Sequence, residues 1–294
     1  MAPIATSTVT TKQQQPQTVP VKVFKAADKS ASEPEWTIYK AANDDNYKYK
    51  WALPAFDERY RDPEFKDAPL QPFEHTDVGL RALKHDNPRA FLANAKVEDI
   101  TPRFGSAVYG LDLTKLTSDE KDELALFVAE RGVVAFYDNQ DFIDQTPEQL
   151  KEFGRHFSPY LHEHQTSGQP KDHPEFHLVY KEASQDLDGR DERDTFTPSV
   201  WHSDVSYEAQ PPHTTFLFLF DSPPTGGDTL FIDTEELVKR LSPSFRGYLR
   251  TLKAVHSGFE QANVSAKGGR GGVVRVSGDL SPSLHLFCLL TPFS

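Results

Sequence analysis

The stretch "WHSDVSYE", residues 201–208, decides how this sequence is interpreted, because it places His202 and Asp204 two positions apart in an alternating segment. On a β-strand, side chains at positions i and i+2 point to the same face, so the two side chains would project together. One imidazole and one carboxylate form two-thirds of the 2-His-1-carboxylate triad, which binds Fe(II) and leaves positions open for O2 and a chelating substrate. By itself such a pair is more often a surface salt bridge or a hydrogen-bonded pair, so its neighbours must decide.

Three further segments give the pair a context: "PPHTTFLFLF" (211–220), "TGGDTLF" (225–231) and "KAVHSGFEQA" (253–262). Short strand-like segments divided by Pro/Gly turns favour a β-sandwich or barrel. The two glycines of the second segment permit a tight turn, which would leave Thr229 at a strand start, pointing inward. Together with "WHSDVSYE", these segments closely resemble the taurine dioxygenase (TauD/TfdA) family, above all the fungal α-ketoglutarate-dependent sulfonate dioxygenases. The resemblance runs from about residue 97 to about residue 275.

The resemblance implies an α+β fold whose core is a double-stranded β-helix, or jelly roll, with flanking helices. It implies an Fe(2+) centre held by His202, Asp204 and a distal histidine, with 2-oxoglutarate as co-substrate. Thr229 matches the family residue that hydrogen-bonds the distal carboxylate of 2-oxoglutarate. The implied reaction uses O2 to hydroxylate a small sulfonate or alkyl sulfate, and it releases an aldehyde with sulfite or sulfate, succinate and CO2.

A histidine-rich segment, "LHEHQTSG" (161–168), stands where the family has an "LHIHP"-type segment whose second histidine contacts the sulfonate. By position that residue is His164, and a histidinium suits an anionic head group because it both carries charge and donates a hydrogen bond. Gln165 and Glu163 depart from the family pattern. His162 is interpreted as structural or as a residue that supports the ligands without binding the metal, and His256 as a packing residue.

The remaining iron ligand is not found where the family would have it. The chain leaves the family pattern after Arg275, and the tail 276–294 matches nothing expected there. The codons of Val276 and Ser277 could form a splice-donor sequence, so we expect a C-terminally truncated product that lacks the distal histidine and the arginine that binds 2-oxoglutarate. His285 is the one tail histidine that could substitute, and nothing in its context supports it. The jelly roll is therefore expected to be incomplete at the C-terminus, and the activity of this chain is uncertain from its sequence.

Two other functions stay open at this point. The same family fold could act on a carboxylate substrate, or the chain could be a non-catalytic jelly-roll binding protein. The residues around His164 distinguish a sulfonate substrate from a carboxylate, because they should favour a tetrahedral anion over a planar one. The second predicts no turnover of 2-oxoglutarate.

Composition excludes several classes. The net charge of −12 and the lack of Lys/Arg runs argue against a nucleic-acid partner, and no stretch approaches the roughly 18 apolar residues of a spanning helix. The single cysteine, Cys288, excludes a disulfide framework. The N-terminus lacks an apolar signal region, which predicts a cytoplasmic protein. The oligomeric state stays open, a homo-oligomer included.

The chain divides into four predicted regions: a disordered tail 1–35, an aromatic and Pro-rich arm 36–95, a partial dioxygenase domain 96–275 and the tail 276–294. Local signals predict several elements inside the domain. These are capping boxes at Thr117/Glu120 and Thr146/Gln149, helices capped by Thr234 and Ser242, and strands at "VVAFYD", "FHLVY", "SVWHSDVSYE", "PPHTTFLFLFDSP" and "TLFID".

Overall fold

The computed structural model describes residues 45–55, 72–163, 169–170, 172–179, 201–208, 210–222, 224–258 and 284–285. Its helices are α1 (Gly79–Ala82), α2 (Ser118–Arg131), α3 (Gln140–Ile143), α4 (Pro147–Phe157), α5 (Thr234–Lys239) and α6 (Pro243–Leu249). Its strands are β1 (Pro54–Ala55), β2 (Lys96–Asp99), β3 (Ser106–Tyr109), β4 (Val134–Tyr137), β5 (Gln169–Pro170), β6 (Ala254–Val255) and β7 (Leu284–His285). This mixture agrees with the predicted α+β class. The predicted tail 1–35, His164 and all of the tail 276–294 except 284–285 lie outside the described residues.

A three-stranded sheet with the order β2-β3-β4 supports the helices. Strands β2 and β3 are antiparallel, with Lys96 opposite Tyr109, and Gly105 takes a positive φ of 82° just before β3 begins. Strand β4 pairs in parallel with β3, which requires a crossover, and α2 provides it. The strand predicted at "VVAFYD" is confirmed as β4.

Both predicted capping boxes are confirmed. The Thr117 side chain accepts from the backbone N–H of Glu120, and the Glu120 carboxylate accepts from the Thr117 N–H at 2.8 Å. Thr146 and Gln149 do the same at the start of α4, where Pro147 occupies the first turn. These exchanges satisfy amide donors that a helix start otherwise leaves unpaired. Of the later caps, Ser242 is confirmed, whereas α5 is capped by Asp233 rather than by Thr234.

The core lies between α2, α4 and the sheet. It is built from buried apolar side chains that recur at helical spacing in the two helices, and its members include Val108, Leu124, Phe127, Phe142, Leu150, Phe153 and Phe157. Phe218 packs against this cluster, and the Phe216 ring lies 5.2 Å from the Phe157 ring. The core therefore holds the segment that follows "WHSDVSYE" in the chain.

The strands predicted at 201–208, 211–222 and 229–233 are not strands in the described structure, nor is the part of "FHLVY" that is described. The alternation that suggested the second of them is partly real: the Phe216 and Phe218 rings contact the core rings of Phe157 and Phe142, although Phe216 is 38% exposed, whereas Leu217 and Leu219 are 57% and 66% exposed. A strand also needs a neighbour to receive its backbone hydrogen bonds, and no described segment pairs with these residues. An alternating pattern indicates which side chains face the core, but it does not identify the neighbouring strand that would accept the backbone hydrogen bonds.

Aromatic side chains of residues 45–55 pack onto the domain. The Tyr49 and Trp51 rings lie 4.8 Å and 5.5 Å from the Phe220 ring. The Tyr49 hydroxyl donates to Asp144 at 2.7 Å, Gln140 donates to the same carboxylate at 2.9 Å, and Lys48 forms an ion pair with it. A single carboxylate thus joins this segment to the end of α3.

Replacing Asp144 with asparagine should make the stability less sensitive to acid. The Lys48 ammonium, Tyr49 and Gln140 lower the pKa of Asp144 from 3.8 to about 2. A carboxyl group whose pKa is lower in the folded protein contributes stability above its unfolded pKa and loses that contribution as the pH falls through the folded value. Between pH 4 and pH 2 the urea midpoint should therefore fall less in Asp144→Asn than in the wild type. Asp45→Asn, at a fully exposed site, is the control; equal slopes in all three proteins would contradict the prediction.

Candidate metal centre

The structure brings His202 and Asp204 together. The His202 Nε2 atom lies 3.1 Å from Asp204 Oδ1, and the two side chains are 71% and 60% exposed. The sequence placed them on a strand, and the structure places them instead at the start of a turn that runs through residues 204–207. The expected juxtaposition therefore arises from a different backbone conformation.

The separation of these donor atoms fits a shared metal ion. Two ligands at about 2.1 Å from one metal, at right angles, are about 3.0 Å apart. His202 and Asp204 need little rearrangement to chelate Fe(II), for which imidazole and carboxylate are suitable ligands. As they stand, the same distance is that of a hydrogen bond. In the described ranges no group of three His, Cys, Asp or Glu side chains is arranged to hold a metal ion.

The turn that carries the two donors is exposed at one end and buried at the other. Residues 201–204 are exposed, 205–207 are half-buried, and Glu208 is buried. The Glu208 N–H donates to the Val205 carbonyl at 2.9 Å and closes the turn. Val205 has a φ of +43°, which is unfavourable for a β-branched residue.

Substituting Val205 with glycine should leave the free energy of unfolding unchanged or raise it by up to about 2.5 kcal/mol. A β-branched residue in the left-handed region is strained by roughly 1–3 kcal/mol, and glycine removes that strain at an entropic cost of about 0.5–1 kcal/mol. Val134→Gly, in β4, is the matched control, since it deletes the same side chain from an ordinary strand conformation and should be destabilising. Urea denaturation decides the matter; an equal loss in both variants would show that no strain is relieved at position 205.

Contacts from distant parts of the chain hold the buried end of the turn. His162 Nε2 lies 3.4 Å from Glu208 Oε1, and His256 Nδ1 lies 2.9 Å from Ser206 Oγ. Just beyond the turn, the Gln210 side chain accepts from the Phe73 N–H and donates to the Phe73 carbonyl. The segment is therefore fixed by regions before and after it in sequence.

His177 stands beside this cluster. Partial removal from water lowers the pKa of its imidazole; the nearby Asp204 carboxylate opposes this by raising the pKa, and His162 lowers it further. The net effect favours neutral His177. Neither His177 nor Glu208 was predicted as a site residue from the sequence, although Glu208 belongs to the quoted stretch.

Within the described residues, the structure does not place the other predicted site residues beside the His202–Asp204 pair. Gly226 and Gly227 have positive φ values of 79° and 77°, which explains the glycine pair, but Thr229 is exposed and lies in no strand. His164 lies outside the described residues. The β6–β7 ladder pairs His285 with Ala254, two residues before His256. The backbone of His285 is thus near the segment that contacts the turn.

The chain belongs to the family described as "Taurine catabolism dioxygenase TauD, TfdA family", whose model matches residues 96–283. The chain is 42% identical over 231 residues to the alpha-ketoglutarate-dependent sulfonate dioxygenase of Saccharomyces cerevisiae, which covers 78% of this chain and 54% of the yeast protein. It is 39% identical over 199 residues to the alpha-ketoglutarate-dependent dioxygenase cnsM of Penicillium expansum, with coverages of 67% and 55%. A putative alpha-ketoglutarate-dependent sulfonate dioxygenase of Schizosaccharomyces pombe is 37% identical over 186 residues, with coverages of 63% and 45%. The chain spans about half the length of the curated relatives it matches.

The resemblance inferred from the quoted segments is thereby confirmed at the level of the family. Among the described helices, none is both long enough and apolar enough to cross a membrane.

Proposed function

We propose that this chain is part of an Fe(II)- and 2-oxoglutarate-dependent dioxygenase that oxidises a small sulfonate or alkyl sulfate. The observation that carries the proposal is the adjacency of His202 Nε2 and Asp204 Oδ1 within the family-matched range. The sulfonate assignment is supported by relatives whose names specify that substrate class. We also propose that the core of the whole domain is the jelly roll expected for the family.

His202 would hold the iron through the lone pair of Nε2, and Asp204 through a carboxylate oxygen. When bound, Fe(II) would supply, with 2-oxoglutarate and O2, the oxidising chemistry that couples decarboxylation of the co-substrate to hydroxylation of a substrate carbon, with one oxygen atom of O2 going to each. Asp204 offsets part of the metal's charge, and neutral His202 leaves Nε2 able to donate its lone pair. Two residues would fill only part of the metal's coordination shell, so small-molecule ligands would have room to bind.

Two further residues are proposed to contact the small molecules. Thr229 is proposed to hydrogen-bond the distal carboxylate of 2-oxoglutarate. His164 is proposed to bind the anionic head group of the substrate as a charged donor. Hydroxylation of the carbon that bears the sulfonate gives an adduct that collapses to an aldehyde and sulfite.

A carboxylate substrate is the second candidate. It stays open because the names of two similar relatives specify an alpha-ketoglutarate-dependent dioxygenase without giving a substrate class. Parallel assays with taurine and with a carboxylate of similar size separate the two candidates through sulfite release.

The test measures binding of Co(II), as a stable substitute for Fe(II), by calorimetry, together with succinate and sulfite release. His202→Ala should weaken Co(II) binding by about 100-fold, since losing a ligand costs at least as much as losing an outer-shell partner. His213→Ala, which removes an imidazole outside the pair, is the control. Equal Co(II) affinity in the wild type and His202→Ala would overturn the metal centre. A folded version of the chain that also carries the expected distal histidine and arginine segment, but releases no succinate when supplied with Fe(II), 2-oxoglutarate and O2, would overturn the reaction.

A further inference from the structure

The two proposed iron ligands have little packing of their own. Both side chains are more than half exposed, whereas the residues that follow them become progressively more buried up to Glu208. The position of the donor pair is therefore set through residues 205–208.

Glu208 is the most deeply buried residue of this segment. Its side chain is 8% exposed and its carboxylate faces the half-buried imidazole of His162, which lies 46 residues earlier in the chain. A buried carboxylate is costly unless it is paired and hydrogen-bonded, so the partner at this site is important. The His162–Glu208 pair joins the donor turn to the segment that follows α4.

Ser206 and Tyr207 are held from a different direction. His256 contacts the Ser206 hydroxyl at 2.9 Å, and Gly258 lies so close to the Tyr207 ring that an added Cβ atom would be 3.0 Å from it. Three successive residues of the turn are thus fixed by segments far away in sequence. The left-handed Val205 stands between these anchors and Asp204, as expected of a strained residue that its surroundings over-determine.

We propose that Glu208, through its buried pair with His162, is a positioning residue of the iron centre, and that the Ser206–His256 contact is a second brace. This rests on the proposed function, since it concerns the same pair of ligands. Neither Glu208 nor Ser206 ligates the metal in this proposal. Both hold the turn from which His202 and Asp204 project.

The proposal is tested on the full chain with Co(II) as the metal probe. Glu208→Ala should weaken Co(II) binding by about 10- to 100-fold, the usual effect of losing an outer-shell partner. Glu208→Gln keeps the side-chain length and an acceptor oxygen for His162, so most of the affinity should return. Glu235→Ala, which removes an exposed carboxylate on α5 that pairs with Lys239, should bind Co(II) like the wild type.

Two further measurements separate positioning from a general loss of stability. In a double-mutant cycle, His162→Ala should cost little additional affinity once Glu208 is alanine, because the two act as one unit. In metal-free protein, amide hydrogen exchange at residues 203–207 should accelerate in Glu208→Ala and stay near the wild-type rate in Glu208→Gln. If Glu208→Ala does not fold, Ser206→Ala carries the test, with an expected loss in affinity of about tenfold, the lower end of the range for an outer-shell partner.

The outcomes also separate this proposal from the proposed function. If Co(II) binding to the wild type does not depend on His202, the metal centre itself fails. If binding depends on His202 but is unchanged in folded Glu208→Ala, or in Ser206→Ala where that variant substitutes for it, the centre stands and the positioning role is overturned.

Discussion

Replacing Phe153 with alanine should lower the free energy of unfolding by about 3–5 kcal/mol, the range seen for buried aromatic truncations. The Phe153 ring is buried and lies 4.8 Å from the Phe142 ring, 5.4 Å from Phe157 and 6.0 Å from Phe216. Lys121 also lies over the ring, with Nζ 5.2 Å from its centroid. The truncation removes contacts to two helices and to the segment after the donor turn at once.

Urea denaturation measures this loss, and two controls define its cause. Phe153→Leu retains most of the volume and should lose about 1.5 kcal/mol or less. Phe245→Ala removes a ring that is half exposed on α6 and should have a much smaller effect than Phe153→Ala. A loss below about 1.5 kcal/mol in Phe153→Ala would mean that the core between α2 and α4 is not packed as described.

Replacing Asp122 with alanine should cost about 3 kcal/mol, toward the lower end of the range for breaking a buried ion pair. The Asp122 side chain is 6% exposed and accepts from Arg81 Nε at 2.6 Å and Nη2 at 2.5 Å, and His156 Nε2 lies 2.8 Å away. Burial alone would raise the pKa of Asp122, but Arg81 and His156 outweigh it and the pKa lies below its ordinary value. Arg81 is half exposed and can return to water, which limits the loss.

Asp122→Asn is the matched control, because it keeps the shape and one acceptor while it removes the charge. It should lose less stability than Asp122→Ala at neutral pH. The difference in free energy of unfolding between the wild type and each variant should shrink as the pH falls through the lowered pKa of Asp122, since the carboxylate then becomes protonated. Thermal or urea unfolding at several pH values tests this; an advantage that is independent of pH would contradict the role of the charge.

The parts of the fold that the sequence predicted well depend on neighbours in the chain. Thr117 and Glu120 are three residues apart, and their reciprocal bonds follow from local geometry alone. The one-residue error at α5, where Asp233 rather than Thr234 is the cap, is also local: two good capping residues stand side by side.

The parts that failed depend on distant partners. The Phe216/Leu217/Phe218 alternation gave the correct core face, but it contained no information about which segment would accept the backbone hydrogen bonds. In the candidate site, the His202–Asp204 pair was predictable because its members are two residues apart. The His162–Glu208 pair spans 46 residues, and neither residue type signals the other.

The crossover from β3 through α2 to β4 has a consequence for the order of folding. Helix α2 bridges two parallel strands whose paired residues, such as Ser106 and Val134, are 28 residues apart, and His156 of α4 contacts Asp122 of α2 across 34 residues. Residues 106–157 therefore form a unit whose contacts are more local than those of the donor turn. The donor turn is tied to the rest by contacts that span 46 and 50 residues, and Gln210 just beyond it contacts Phe73 across 137 residues. Because closing long loops costs more entropy, the helical unit has the advantage in forming first, and the turn attaches to it afterwards. The helical unit is therefore expected to fold before the turn that carries the two proposed metal ligands is fixed in position.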